Sequence, residues 1–374
     1  MSIEDRKAEH IRISLVKDVS SRIRTGFEDV ELIHNAVREV DLEEIDTSLT
    51  VMGKRLRLPL IIEALTGGTS ESKRINMGLA EVAESEGIGI GVGSVRAALE
   101  KPGLTDTFSI VRDKAPNTLV ISNIGAVQVA KHGLEYALKA IEVVKADSLA
   151  IHFNKLQELI MPEGETCFKG YGKHITELSK KLGEKLCLKE TGAGFSGEAA
   201  KIVESWGVKW IDTAGVGGTS WYAVEYYRAK KRGEDKASLL DEAFWDWGVP
   251  TAISIVETKM YTGLKVIASG GIRTGIDAAK AIALGAECTG MALPFLKSFL
   301  KGGIEETRRL VRSFELALKS SMFLVGARNL EELRKTPIVI RGRTAEWLGQ
   351  RGLLSKLLNE RGLFDEPRRG QKPY

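Results

Sequence analysis

An apolar run that ends in two glycines and an arginine, Val266-Ile267-Ala268-Ser269-Gly270-Gly271-Ile272-Arg273, leads into the helix start Thr274-Gly275-Ile276-Asp277. A second apolar run follows, Glu287-Cys288-Thr289-Gly290-Met291-Ala292. In that order, backbone N–H groups free of side-chain bulk, the positive end of a helix and one guanidinium converge on a single anion. The pattern predicts a phosphate site between the last two strands of a (β/α)₈ barrel, with Gly270, Gly271, Arg273, Met291 and Ala292 around it. The same glycines would also serve an ordinary tight turn; the helix start and the eighth strand favour phosphate.

Other strand ends share one character. Thr66-Gly67-Gly68, Gly93-Ser94-Val95-Arg96 and Ser122-Asn123 are small, hydrogen-bonding and open to close approach. Such a rim suits a flat heterocycle with polar edges, and beside a phosphate grip it points to FMN. Lys189, at the end of the apolar Leu186-Cys187-Leu188, stands where a cation can stabilise negative charge on a reduced flavin. A solvated lysine is the plainer alternative, but lysine in an apolar strand is seldom idle.

His152-Phe153-Asn154-Lys155-Leu156-Gln157-Glu158 puts His152 and Asn154 on one strand face, with Gln157 and Glu158 just beyond. An amide and one carboxylate are enough for Mg²⁺ when substrate phosphates complete its shell, although a lone carboxylate is a weak metal signature. Asp212 to Trp221 holds a second glycine-rich loop, with Thr219 and an aromatic that can stack on substrate or roof the barrel. Arg6, Lys7 and His10 form either a solvated terminus or an anion clamp that folds over the site.

Eight short apolar segments must position these groups: 59–65, 87–92, 119–123, 148–154, 185–189, 209–213, 265–269 and 287–292. Helical periodicity separates them, as in Ile75, Leu79 and Val82, or between the start at Ser196 and the stop at Gly207. Alternating strands and helices predict an α/β fold, a TIM barrel of eight parallel strands. Residues 1–57 read as an extension over one barrel end, 58–350 as the barrel and 351–374 as a tail whose last dozen residues are loose. Residues 222–262, with Trp245 and Trp247, read as an insertion after strand six that forms a lid or a subunit contact.

The 54 Lys and Arg barely outnumber the 50 Asp and Glu among 374 residues, too mild a balance for a nucleic-acid partner. No apolar run spans a membrane and the charged start lacks a signal-peptide core, so a cytoplasmic protein is expected. Cys167, Cys187 and Cys288 are too far apart for a zinc motif.

Together, Arg6-Lys7-x-x-His10, Thr66-Gly67-Gly68, Gly91-Val92-Gly93-Ser94 with Arg96, and His152-x-Asn154 with Gln157-Glu158 resemble the type II, FMN-dependent isopentenyl diphosphate isomerases. Pro162-Glu163-Gly164, Lys189-Glu190, Gly217-Gly218-Thr219-Ser220-Trp221 and Ser269-Gly270-Gly271-Ile272-Arg273 extend the resemblance over residues 6 to 350. It implies interconversion of isopentenyl and dimethylallyl diphosphate in isoprenoid biosynthesis, with FMN, Mg²⁺, NADPH as reductant and a homotetramer or homo-octamer. It also implies that Thr66, Gly67, Gly68, Ser94, Asn123, Lys189, Thr219, Gly270, Gly271, Arg273, Met291 and Ala292 meet FMN, and that Glu158 holds the metal. Arg6, Lys7, Arg96, Asn154 and Trp221 would bind substrate, while Gln157, His10, His152 and Glu158 surround the chemistry. Leu65, Val95, Lys155 and Met161 depart from the family pattern, which points to altered substrate contacts. Two alternatives remain: an enzyme of this barrel acting on a related prenyl phosphate or a 2-hydroxy acid, and a flavin-binding homologue without turnover. The 2-hydroxy-acid chemistry needs a late histidine base, whereas His10, His34, His132, His152 and His174 all precede the fifth strand.

Overall fold

The computed structural model describes residues 3–359. Eight parallel strands close a barrel: β1 (Leu60–Ile62), β2 (Gly89–Gly91), β3 (Val120–Gly125), β4 (Ser148–His152), β5 (Leu186–Lys189), β6 (Trp210–Asp212), β7 (Lys265–Ala268) and β8 (Cys288–Met291). The ring shuts where Thr289 of β8 lies opposite Leu60 of β1. Every predicted segment overlaps a strand, and most outrun theirs by a residue or more at one or both ends, while Val120–Gly125 runs two residues past its segment. The expected helix around Ile75 runs Ser70–Glu86, begun by Thr69, whose hydroxyl accepts the Ser72 N–H. The helix Gly197–Ser205 starts at Ser196 in the same way.

Strand alternation sends Ile61, Ile121, Ala150, Cys187, Trp210, Ile267 and Cys288 into the barrel, where they form one apolar cluster. Val51, Met52 and Leu56 close that cluster from below. They belong to an antiparallel hairpin, Leu49–Val51 with Lys54–Leu56, placed by Lys54, which reaches the Asn117 carbonyl and the Asp147 carboxylate. Helix α1 (Ile3–Val16) lies at the other end, with Lys7 Nζ donating to the Ser94 carbonyl at 2.8 Å. The first 57 residues therefore cover both ends of the barrel, where the sequence predicted one.

Helix α2 (Lys155–Ile160) follows β4, and α3 (Trp221–Lys231) opens the insertion after β6. The insertion is shorter than predicted, because Thr251–Tyr261 packs beside β7 and Gly197–Ser205 as the barrel's own outer helix. Trp245 is no subunit contact. It is buried against Tyr226 and Tyr227, and its Nε1 donates to the Ser20 carbonyl at 2.9 Å. Trp247 is 64% exposed. After β7 comes α4 (Gly275–Ala283), whose Thr274 and Asp277 form the reciprocal capping box implied by their spacing.

Near the C-terminus, Ile338–Ile340 pairs antiparallel with Val30–Leu32. The boundary drawn at residue 350 falls inside packed structure, since Leu353 and Leu357 join the main core beside the helix Leu354–Asn359. The segment predicted to be loose, 363–374, lies outside the described residues. Among the described residues no helix is long and apolar enough to cross a membrane.

Leu56 is fully buried in the hairpin that floors the barrel. Leu56→Ala should lower unfolding stability by about 2–5 kcal/mol in a urea titration. A loss below about 0.5 kcal/mol, the range of ordinary surface changes, would show that the hairpin is not part of the core.

Candidate active site

A cavity of about 260 Å³ opens at the C-terminal end of the barrel. It brings together Arg6, Lys7 and His10 from α1, Thr66, Ser94, Arg96, Asn123, His152, Asn154, Gln157, Glu158, Lys189, Thr219 and Trp221. Gly270, Gly271, Arg273, Met291 and Ala292 complete the predicted set. Two predicted flavin contacts, Gly67 and Gly68, do not line it. The Phe108 ring fills the space a Gly67 side chain would need, and the Gly68 N–H donates to Thr107 Oγ1 at 2.8 Å. Of the four departures, Leu65 and Met161 face the cavity. Val95 is buried in the core and Lys155 is exposed beside the Phe168 ring, so neither alters the site directly.

One end of the cavity is shaped for an anion. Gly270 has φ 97°, and a side chain there would collide with the Gly215 backbone; a Cβ on Gly218 would come within 2.6 Å of the Gly271 nitrogen. Glycine is therefore required for the loops after β6 and β7 to interlock, and the cradle they form is open to phosphate. The N–H groups of Arg273 and Thr274 are taken by Asp277 at 3.0 and 2.9 Å, so the helix start is less available than its sequence implied. The glycine loops and the Arg273 guanidinium, whose pKa burial lowers, can grip a phosphate instead. This donor set fits FMN.

Lys189 stands at the centre and is not solvated. Its Nζ lies 2.9 Å from Asp212 Oδ2 and 3.4 Å from Glu63 Oε2. Burial alone would lower its pKa, but Asp212 and then Glu63 more than reverse that, so it stays charged. His152 is pushed down to about 3 by burial, then by Lys189 and Lys7, and is neutral. Its Nδ1 donates to Asn123 Oδ1 at 2.7 Å, which leaves Nε2 with a lone pair.

The far end is built around charge. Glu225 of α3 is fully buried and accepts from His10 Nε2 at 2.7 Å, Gln157 Nε2 at 3.0 Å and Arg228 at 2.5 Å. Burial would raise its pKa, yet His10, Arg228 and Gln157 hold the carboxyl down to about 2. Arg228 also pairs with Glu9 and Glu163. Glu158 is fixed at both oxygens, by Asn154 Nδ2 at 2.8 Å and the Glu165 N–H at 2.7 Å. Burial nevertheless raises its pKa, a carboxyl short of compensating charge. Among the described residues no three His, Cys, Asp or Glu gather as a metal cage. A cation beside Glu158 must therefore draw oxygens from its ligand, which is the manner of Mg²⁺ with phosphates.

Sequence reasoning missed Glu63, Glu225 and Arg228. Glu63 carried a usable signal, an acid within the apolar segment 59–65. Glu225 and Arg228, three residues apart on α3, carry no such signal; the packing of α1 and α2 over α3 buries them.

Residues 248–340 match the FMN-dependent dehydrogenase family. Over 354 residues the chain is 47% identical to an isopentenyl-diphosphate delta-isomerase of Methanothermobacter thermautotrophicus, covering 95% of this chain and 98% of that one. It is 46% identical to the enzyme of the same name from Thermococcus kodakarensis, covering 96% and 97%. Among solved structures, a mandelate oxidase variant with (S)-mandelic acid superposes with a TM-score of 0.63 at 17% identity, over 91% of this chain and 98% of the other. A flavocytochrome b2 variant with sulfite gives 0.63 at 14%, over 97% and 90%. These last two show the barrel fold alone.

Lys7 is pushed down to about 7 by burial, then by Arg6. An anion bound beside it favours the charged form, so binding takes up a proton and weakens as pH rises above 7. Sulfate, whose own charge is constant there, should bind roughly tenfold more weakly at pH 8.5 than at pH 7 by calorimetry, and Lys7→Arg should flatten the dependence. A wild-type affinity indifferent to pH would remove Lys7 from the anion site.

Proposed function

The chain belongs to the FMN-dependent isopentenyl-diphosphate delta-isomerases, and on that footing we propose that it interconverts isopentenyl and dimethylallyl diphosphate with reduced FMN and Mg²⁺. The observation that carries this reading is one cavity whose wall joins the glycine loops and Arg273 to Lys189 and to Arg6, Lys7 and Glu158, two cationic groupings suited to two anions. A flavin phosphate and a substrate diphosphate are those two anions. The prenyl unit lies between them, out of water.

The reaction adds a proton at the terminal methylene of the alkene and removes one from the carbon on the other side of the branch point, with no net redox change. Its difficulty is a developing positive charge that water would capture. Arg6 and Lys7 would hold the diphosphate and Glu158 would hold the Mg²⁺ that neutralises it, so binding energy far from the alkene positions it. Glu225 aims Gln157 and His10 at the substrate, while neutral His152 and Asn154 complete the wall. Trp221, its ring 5.3 Å from that of His10, seals the open side. Bound reduced FMN supplies an acid/base edge and an electron-rich face beside the developing charge. NADPH serves as reductant, and the protein works as a cytoplasmic homo-oligomer. Oxidation of a 2-hydroxy acid on this fold is disfavoured, because all five histidines lie before residue 175 and the loops after β7 and β8 hold no base of that kind.

Purified protein given FMN, dithionite and Mg²⁺ under anaerobic conditions should convert isopentenyl diphosphate to its isomer, followed by proton NMR. Loss of all exchange with flavin still bound would favour a flavin-binding protein without turnover. Glu158→Gln should cut the rate roughly 100-fold while the protein keeps its flavin absorbance. An unaltered rate would take the metal away from that residue.

A further inference from the structure

Two acids face one base inside the upper barrel. Asp212 has the closer contact with Lys189, and its Oδ1 also accepts from the Ser269 hydroxyl at 2.5 Å and the Ala214 N–H at 3.3 Å. Glu63 has the longer contact with the lysine and shares a hydrogen bond with the Asp212 carboxyl, which requires a proton on one of the two, and it is caged: a side chain on Gly290 would collide with its carboxyl. A cavity of about 20 Å³ lined by Glu63, Asn123, Lys189 and Asp212 lies beside it, room for one water with several polar partners. With both acids ionised, one lysine would face two negative charges in a buried site. The proton that relieves this belongs on Glu63, the acid with fewer donors.

We propose that Glu63 is a charge-setting residue for the flavin, acting through Lys189: it is held protonated whenever the flavin is reduced, so that the lysine's charge faces the reduced ring rather than a second carboxylate. The inference rests on the reading that FMN lies over Lys189. Reduction brings two electrons and one proton to the flavin, with a chemical reductant such as dithionite as donor. The ring then carries one more negative charge, and where Glu63 is still ionised its carboxylate binds one proton from solvent in response.

The titratable groups that face this cluster leave Glu63 as its proton acceptor. Cys187 on β5 and Cys288 on β8 are buried thiols pushed up by desolvation and stay neutral. His152 on β4 stays neutral as well. Burial pushes Glu190 up to about 7, but it turns its carboxylate to the N–H groups of Thr191 and Ala193 and is ionised above pH 8, where Glu63 is tested. Burial and then Asp212 push Glu63 itself up to about 8, which places the change within reach of experiment. Lys7 titrates nearby and has to be held constant.

The test is the flavin midpoint potential of the FMN-loaded protein as a function of pH, in the wild type and in a Lys7→Arg background. Below about pH 8 the two-electron couple should take up one proton, because Glu63 is already protonated; above it, two. Glu63→Gln should take up one throughout, and Glu63→Asp should restore the steeper segment. Glu63→Ser, which leaves space for a water, gives the same reading if the glutamine variant does not accumulate. Equal proton counts in wild type and Glu63→Gln would overturn the proposal. Failure of the wild type to bind FMN, seen as no change in flavin absorbance, would instead overturn the cofactor reading and the inference with it.

Discussion

One ionised carboxylate, sealed from water, ties the open side of the cavity together. Glu225 on α3 receives His10 from α1, Gln157 from α2 and Arg228 from its own helix, all within 3.0 Å. Removing a partner from a buried ion pair costs about 3–5 kcal/mol, because the charge left behind has no water to turn to. That cost fixes the directions of His10 and Gln157 far more tightly than surface contacts would. Arg228 extends the same constraint to Glu9 and Glu163, so α1 and the loop after α2 are held by one cluster. The proposed isomerisation would need walls fixed before substrate arrives, and this cluster fixes them.

The opposite end is held by shape. Loops after β6 and β7 meet backbone to backbone at their glycines, and the hydroxyls of Thr251 and Thr213 tie them, donating to the Gly270 and Ser269 carbonyls at 2.5 and 3.2 Å. A phosphate cradle of this kind binds with N–H groups that never titrate. The two ends therefore answer differently to pH, one indifferent, the other governed by Lys7 and its neighbours.

Much of the architecture was legible in the chain. Apolar segments at βα spacing revealed all eight strands, and Ser196, Thr274 and Asp277 marked helix starts by their own hydrogen bonds. Most of the cavity lining followed from one rule, that function in this fold sits at strand C-termini. The errors have a common cause. Gly67 serves the Phe108 ring, Val95 faces the core and Trp245 packs within the monomer, and in each case a distant element decides which way a residue points. Glu63 and Glu225 were passed over because a buried acid looks like a surface acid until its partners converge. Lys189 was noticed, but the two carboxylates that hold it were not.

The segment that roofs the cavity precedes the barrel in the chain, yet its partners come after many of the strands. Ser20 bridges Thr219, Glu9 pairs with Arg228 and Arg232, and Val30–Leu32 waits for Ile338–Ile340. Such long sequence separations slow folding, since chain entropy is lost before the contacts reward it. During translation α1 must remain unattached while the barrel forms beside it, exposing Ile11 and its apolar neighbours to solvent or to a chaperone. Closure of the cavity thus depends on contacts far apart in sequence, and a change in the segment before β1 would act on that closure while leaving the eight-stranded ladder itself untouched.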